Sequence, residues 1–349
     1  GEAAQEEAAG ALFALADEVN NRIAITDAGG IGPLVTLLGS TNSVSQHHAK
    51  GVLVRLSIES ANRALIIKKL VDMLGGMGST AQEQAAAALA NLASDSAENR
   101  VSIVDAGGIE PLLSIIGQKE NSKAKEASLA AISKLVFNSE VIQSAIIEAG
   151  GIPLLVNSLA SSSNAKEVLA SAQLYSLAAN ALSQLAKGNR DNQIKITEAG
   201  AIPSLVAILG ALVPELQANA AECLGNLAAA NPDNQHAIAR TGAIAPLCML
   251  LRDGDDEVKE HAAAALWSLS HENKPNKDTV AKLGGIEPLV TLLVTGTSDS
   301  SLLQATGALG SMCSKHIENR ESIAKLIVAK LASKSVMLQT PTGAVRLLT

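Results

Sequence analysis

Aromatic side chains are almost missing. Phe13, Phe137, Tyr175 and Trp267 make up 1% of the 349 residues, although 47% of the chain is hydrophobic. An apolar content of Ala, Leu, Ile and Val suits close packing of helices through small side chains. Cysteine is scarce too: Cys223, Cys248 and Cys313 are odd in number and far apart, which excludes a disulfide framework or a CxxC metal site. Two of them stand at apolar positions of helical patterns, where a free thiol packs as a small hydrophobe. There is no Asn-x-Ser/Thr acceptor, and the acidic N-terminus lacks a signal-peptide pattern, so a cytoplasmic protein is expected. The longest apolar run, 199–213, is interrupted by Gly200, Pro203 and Ser204 and falls short of the ~20 residues of a membrane span. Membrane attachment would need regions outside this chain. Lys and Arg are scattered singly in a chain of net charge −7, which gives no footprint for nucleic acid.

What the chain does have is repetition. Asn99-Arg-Val-Ser-Ile-Val-Asp-Ala-Gly-Gly-Ile-Glu-Pro-Leu-Leu is echoed from Asn21 and Asn192, again from Asn234 and Asn276, and more weakly from Asn62, Ile142 and Asn319. Successive starts differ by 41, 37, 43, 50, 42, 42 and 43 residues. A period near 42 marks a helical solenoid rather than a set of globular domains. The reading is one solenoid over 1–349, with repeats starting near 21, 62, 99, 142, 192, 234 and 276 and partial units at 1–20 and 319–349. Capping repeats are lacking at both ends (342–348 resembles the start of another helix), which suggests an excised fragment of something longer.

Each unit follows one grammar. Asn at the start (Asn21, Asn99, Asn234, Asn276, Asn319) is expected to cap a short first helix. Ala-Gly-Gly then stops that helix, and Pro (Pro33, Pro111, Pro153, Pro203, Pro246, Pro288) opens a second, buried one. A longer third helix carries Ala-x-x-Leu-x-x-Leu, as in Ala221, Leu224 and Leu227, with one apolar stripe and one free face. Two units lack the Gly-Gly-Ile-Pro corner, around Leu65 and Ser322, where the first helix is either shortened or fused to the second. The 50-residue unit 142–191 is longer than its neighbours; 166–186 reads as one long helix that either projects past the ridge or only lengthens an edge loop.

The recurrence of Asn-x-x-x-Ile-x-x-Ala-Gly-Gly-Ile-x-Pro-Leu-Val-x-Leu-Leu followed by Ala-x-x-Leu-x-Asn-Leu-Ala resembles the armadillo repeat of β-catenin, importin-α and other scaffolds. That resemblance implies an all-α, right-handed superhelix whose third helices line a concave groove. The outward positions just before the last stripe residue are then Arg55, Asn91, Lys134, Gln184, Asn226 and Ser268. One turn earlier stand Asn180 and Glu222, and a further turn earlier Gln84, Asn219 and His261. In the family, Asn at the first position pairs with the main chain of an extended peptide, which Asn91 and Asn226 match; the other reading is that these amides bridge neighbouring helices. Trp one turn before that Asn, and the acidic ladder of nuclear-import receptors, are both missing. Trp267 reads as packing between repeats.

No catalytic set, cofactor or metal site is expected. Neighbouring His47 and His48 diverge on a helix, His261 and His271 lack ligand-spaced partners, the 253–257 acidic run lacks calcium-loop spacing, and the glycine-rich 75–79 has no accompanying Lys. The expected function is therefore a non-enzymatic scaffold or adaptor. It would bind an extended or disordered protein segment in the groove, across Asn91 and Asn226, with no small-molecule substrate. The alternative is the targeting module of a larger enzyme such as a ubiquitin ligase or a kinase.

Overall fold

The computed structural model describes residues 2–76, 78–118, 122–159, 165–296 and 298–338, and all regular structure among them is helical. Met77, within the glycine-rich 75–79, and the helix-like 342–348 lie outside these residues. The chain forms two compact units, Gly1–Ser158 and Leu159–Thr349.

The first unit opens with α1 (Glu2–Leu15), followed by the trio α2 (Val19–Asp27), α3 (Ile31–Leu37) and α4 (Ser43–Leu56). Next come α5 (Ser60–Gly76) and α6 (Ser79–Asp95), then α7 (Ala97–Asp105), α8 (Ile109–Ile116) and α9 (Ser122–Leu135), and last α10 (Glu140–Glu148) and α11 (Gly151–Asn157). The second unit holds α12 (Ala165–Ala170), α13 (Ala172–Ala186), α14 (Arg190–Glu198), α15 (Ala201–Ile208) and α16 (Pro214–Ala228). Two further trios follow: α17 (Pro232–Arg240), α18 (Ile244–Asp253) and α19 (Asp256–Ser270), then α20 (Lys274–Lys282), α21 (Ile286–Thr295) and α22 (Asp299–Cys313). The unit's last helix is α23 (Ile317–Leu338).

The Ala-Gly-Gly corner works through its first glycine. Gly107 sits at φ 79° and donates its N–H to Val104 O at 2.8 Å, while Gly108 N–H reaches back to Ile103 O at 2.9 Å. This left-handed close satisfies the last carbonyls of α7 and turns the chain sharply. Pro111 then falls in the first turn of α8, where a missing N–H costs nothing. The two units without a corner are fused: α5 and α23 are single helices of 17 and 22 residues. The long helix expected over 166–186 is instead two, α12 and α13, broken at Ser171, whose φ −114° and ψ 13° are not helical.

The expected asparagine caps are displaced by three residues. Ser96, Ser139, Asn189, Asn231 and Asn273 hold the N-cap positions, each accepting from the backbone N–H three residues on. The motif's own Asn lies inside the first turn, buried, with a different task. Its Nδ2 donates seven residues back to the C-terminal end of the preceding third helix: Asn99 to Leu92 O at 2.8 Å, Asn192 to Leu185 O at 2.9 Å, Asn234 to Leu227 O at 2.9 Å and Asn276 to Leu269 O at 2.8 Å. Those carbonyls have no partner within their own helix, so the amide supplies the hydrogen bond that burial demands.

Within the second unit the third helices pack in an unbroken row, α13 on α16, α16 on α19 and α19 on α22. In the first, α1 packs on α4 and α6 on α9, but α4 and α6 scarcely touch; α5, which packs on α6, lies behind the gap.

Candidate functional site: the faces of the third helices

The amphipathic pattern of α19 sets the site. Ala262, Ala263, Leu266 and Leu269 are buried, which leaves His261, Ala264, Trp267 and Ser268 half-buried on the opposite face. Glu222 and Asn226 of α16 stand on one side of them, and Ser300 and Gln304 of α22 on the other. Together with Lys187, Glu260 and His271 these residues enclose an open trough of about 600 Å³.

Four of the sequence-derived site residues thus meet here: Glu222, Asn226, His261 and Ser268. The amide of Asn226 is partly engaged. Its Nδ2 donates to Ser183 Oγ at 2.8 Å and to Ser183 O at 3.3 Å on α13, which is the helix-bridging role. Its Oδ1 makes no hydrogen bond among the described residues. Asn219 lies outside the trough lining and donates to Ser176 Oγ at 2.6 Å. Gln184 is turned inward and only 8% exposed, because its position on α13 falls on the buried side; Asn180 is half-buried and already bonded within the fold.

In the first unit the same faces are used differently. Arg55 is committed internally: its guanidinium carbon lies 3.9 Å from the centre of the Phe13 ring, Nε pairs with Asp17, and Nη1 donates to Gly51 O at 3.2 Å. Lys134 is solvent-exposed and Gln84 half-buried, neither lining a cavity described for this unit. Asn91 is exposed at the lip of a small cleft between α4 and α6, with no hydrogen bond among the described residues.

Glu260 was missed by the sequence reading, and the part Trp267 plays in the trough wall was missed as well. Glu260 accepts from Ser298 Oγ at 3.3 Å and from Ser300 Oγ, so it ties α19 to the start of α22. Trp267 packs between repeats, as expected, and it also forms part of the trough wall. A Cβ on Gly307 of α22 would stand 2.5 Å from Trp267 Cε3, so the ring rests directly on that glycine. Phe13 lies in the same way on Gly51 of α4, where a Cβ would meet Cε2 at 2.1 Å. An aromatic two residues before the last stripe residue, facing a Gly in the next third helix, was the signal that marked both.

The thiols are not poised for chemistry. Burial, and then Glu222, hold the Cys223 pKa far above its ordinary value, and burial pushes Cys248 up to about 11. Among the described residues no His, Cys, Asp or Glu gather into a group that would hold a metal, and no helix is long and apolar enough to cross a membrane.

The Armadillo/beta-catenin-like repeat model matches residues 189–229, 231–271 and 273–314, all within the second unit. An engineered protein of known crystal structure is 30% identical, with a TM-score of 0.75 over 96% of this chain and 80% of its own. A computationally designed armadillo repeat protein for modular peptide recognition is 26% identical, with a TM-score of 0.62 over 70% of this chain and 99% of its own. A second designed armadillo repeat protein, solved with the peptide (KR)4, is 24% identical, with a TM-score of 0.61 over 70% and 99%. No curated protein sequence matches. With repeat model, helix order and solved structures in agreement, the chain belongs to the armadillo repeat family.

Proposed function

We propose that the chain is a non-catalytic binding scaffold and that the trough of the second unit receives an extended segment of a partner protein. The observation that carries this reading is the roughly 600 Å³ trough itself, in which Asn226, Glu222, Glu260, His261, Trp267 and Ser268 face one continuous surface. A peptide in extended form presents a main-chain donor and acceptor at every residue, and an amide oxygen such as Asn226 Oδ1 accepts from one whatever the side chain. Trp267 adds apolar area at small entropic cost, as aromatic anchors in interfaces do. The designed relative solved with (KR)4 supports an extended peptide as the class of ligand.

The test uses that peptide and a displayed library of random dodecamers as probes. Trp267 is the chain's one tryptophan, so its emission reports occupancy of the trough directly. A saturable change is expected with at least one probe. Asn226→Ala should weaken it about two- to ten-fold, the worth of one amide–peptide hydrogen bond. Probes that bind without touching the Trp267 signal and ignore Asn226→Ala would move the site off this face.

A further inference from the structure

We propose that the cleft between α4 and α6 is a subsite for one aliphatic side chain of an extended peptide. It rests on the same reading of third-helix faces as peptide-binding surfaces, but uses the other unit. Elsewhere within each unit consecutive third helices close on one another; here they do not, and the cleft is what remains. Its floor is hydrocarbon: Leu53, Ile66, Leu70 and Leu92, each at most 9% exposed. The fused helix α5 provides Ile66 and Leu70, so the missing Gly-Gly-Ile-Pro corner and the cleft have one origin.

Size and rim identify the occupant. The space is about 70 Å³, room for about five waters, which is the scale of a Leu or Ile side chain rather than a ring system. Apolar walls give such water few partners, and an entering alkyl group releases it. At the lip stand Asn91, with an amide that can pair with a peptide unit, and the exposed charges Lys50 and Asp95. Opposite charges on one lip complement a segment in which the aliphatic residue lies between one acidic and one basic neighbour. A peptide therefore meets every feature of the cleft, whereas a free hydrocarbon would leave Asn91, Lys50 and Asp95 unused.

The probes are Ac-Gly-Glu-Leu-Lys-Gly-NH2, its Lys-Leu-Glu counterpart, and both with Ala for Leu. They are titrated against the whole chain with Ile and Leu methyls labelled for NMR. Saturable shifts are expected at Leu53, Ile66, Leu70 and Leu92 with one Leu peptide. The Ala version should bind about ten- to sixty-fold more weakly, since each of three lost carbons is worth roughly four-fold when buried. Ala88 lines the cleft and is half-exposed, so Ala88→Leu should fill the space, keep the helical content and erase the preference for Leu. Equal binding of Leu and Ala peptides, or a Leu preference that survives Ala88→Leu in a folded chain, would overturn the subsite. So would methyl shifts that grow with protein concentration alone, which would place a second copy in the cleft. If dodecamers bind the Trp267 trough while these methyls stay still, the subsite fails and the trough reading stands. If the Leu peptide shifts these methyls and no probe reaches the trough, the reverse holds.

Discussion

The second unit fastens one repeat to the next with neutral amides, the first with guanidinium groups. Gln193 Nε2 bridges from its own repeat to Asn226 O at 2.9 Å and Ala229 O at 3.2 Å, and Asn231 Nδ2 donates to Gln193 Oε1 at 3.0 Å. One repeat later Gln235 and Asn273 repeat the pattern, with Gln235 Nε2 on Ser268 O at 2.9 Å and Asn273 Nδ2 on Gln235 Oε1 at 3.0 Å. In the first unit Arg22 takes that place, pairing with Glu59 at 3.1 Å, and then Arg63, which donates to Asn99 Oδ1 at 3.3 Å. Amides satisfy one another in both directions; a guanidinium donates only, so the buried Arg22 needs the Glu59 carboxylate and the carbonyls of Ala16 and Asp17 as acceptors. Of these bridges, the one beside the open cleft is that of Arg63, between the repeats of α4 and α6. The repeat model matches only within the second unit.

The largest effect that would break this comparison is a cavity. Leu224 is fully buried in α16 between closely packed neighbours, whereas Leu53 already borders the cleft. Leu224→Ala should cost about 2–5 kcal/mol and Leu53→Ala less than about 2 kcal/mol, because a site that opens to solvent loses less on truncation. Hydrogen exchange of α16 and α4 reads the two changes separately. Equal costs would mean that the cleft is closed in solution.

Next is the buried amide. Asn234→Ala removes the donor to Leu227 O and leaves that carbonyl without it, at about 1–3 kcal/mol. Because Trp267 reports only the second unit, urea unfolding followed by its fluorescence should show a lowered midpoint for Asn234→Ala. No shift should appear for Arg63→Ala, in the first unit. A shift with Arg63→Ala would show the two units unfolding as one.

These amides also show what the sequence discloses and what it hides. Period, corner and stripe were all legible, because Gly, Pro and Leu each act through backbone conformation or burial at their own position. The role of the motif's Asn was not, because its partner is a carbonyl of the preceding helix, and capping and stapling require the same residue type. Pro232 at the first position of α17 was the available sign that Asn231, not Asn234, is the cap. At the trough the outward face was legible from helical spacing. The engagement of Arg55 with Phe13 and the seat of Trp267 were not, since each depends on a residue some forty positions away.

The Trp267 seat gives a middle-sized effect. Gly307→Ala would bring a methyl within 2.5 Å of the ring, so the indole has to leave its place. Overpacking of this kind costs about 1–3 kcal/mol. Here a lower figure within that range is expected, because the ring borders open trough. Its emission should move to the red as the indole gains water. An unshifted spectrum would mean that α22 yields instead of the tryptophan.

The smallest effect lies where the ladder changes chemistry. At the last interface of the second unit Lys277 replaces the glutamine, donating to Ser314 O at 2.7 Å, and His316 replaces the capping asparagine, its Nδ1 accepting from Asn319 N–H at 3.3 Å. With Nδ1 an acceptor, Nε2 carries the proton and donates to Asp278 Oδ1 at 2.6 Å. That bond, and then Lys274 at 3.0 Å, hold the Asp278 carboxyl below its ordinary pKa. A depressed carboxylate stabilises the fold at pH above its unfolded value, about 3.9, and the contribution disappears as pH falls through the lower folded value. Asp278 is half-exposed, so solvent screens the interaction and only a few tenths of a kcal/mol are expected at pH 7. Asp278→Asn keeps an acceptor for His316 and removes the charge alone. Its urea midpoint should lie slightly below the parent's at pH 7 and merge with it as pH falls below about 4. A gap that stayed constant with pH would assign the effect to hydrogen-bond geometry and leave no part for the carboxylate charge.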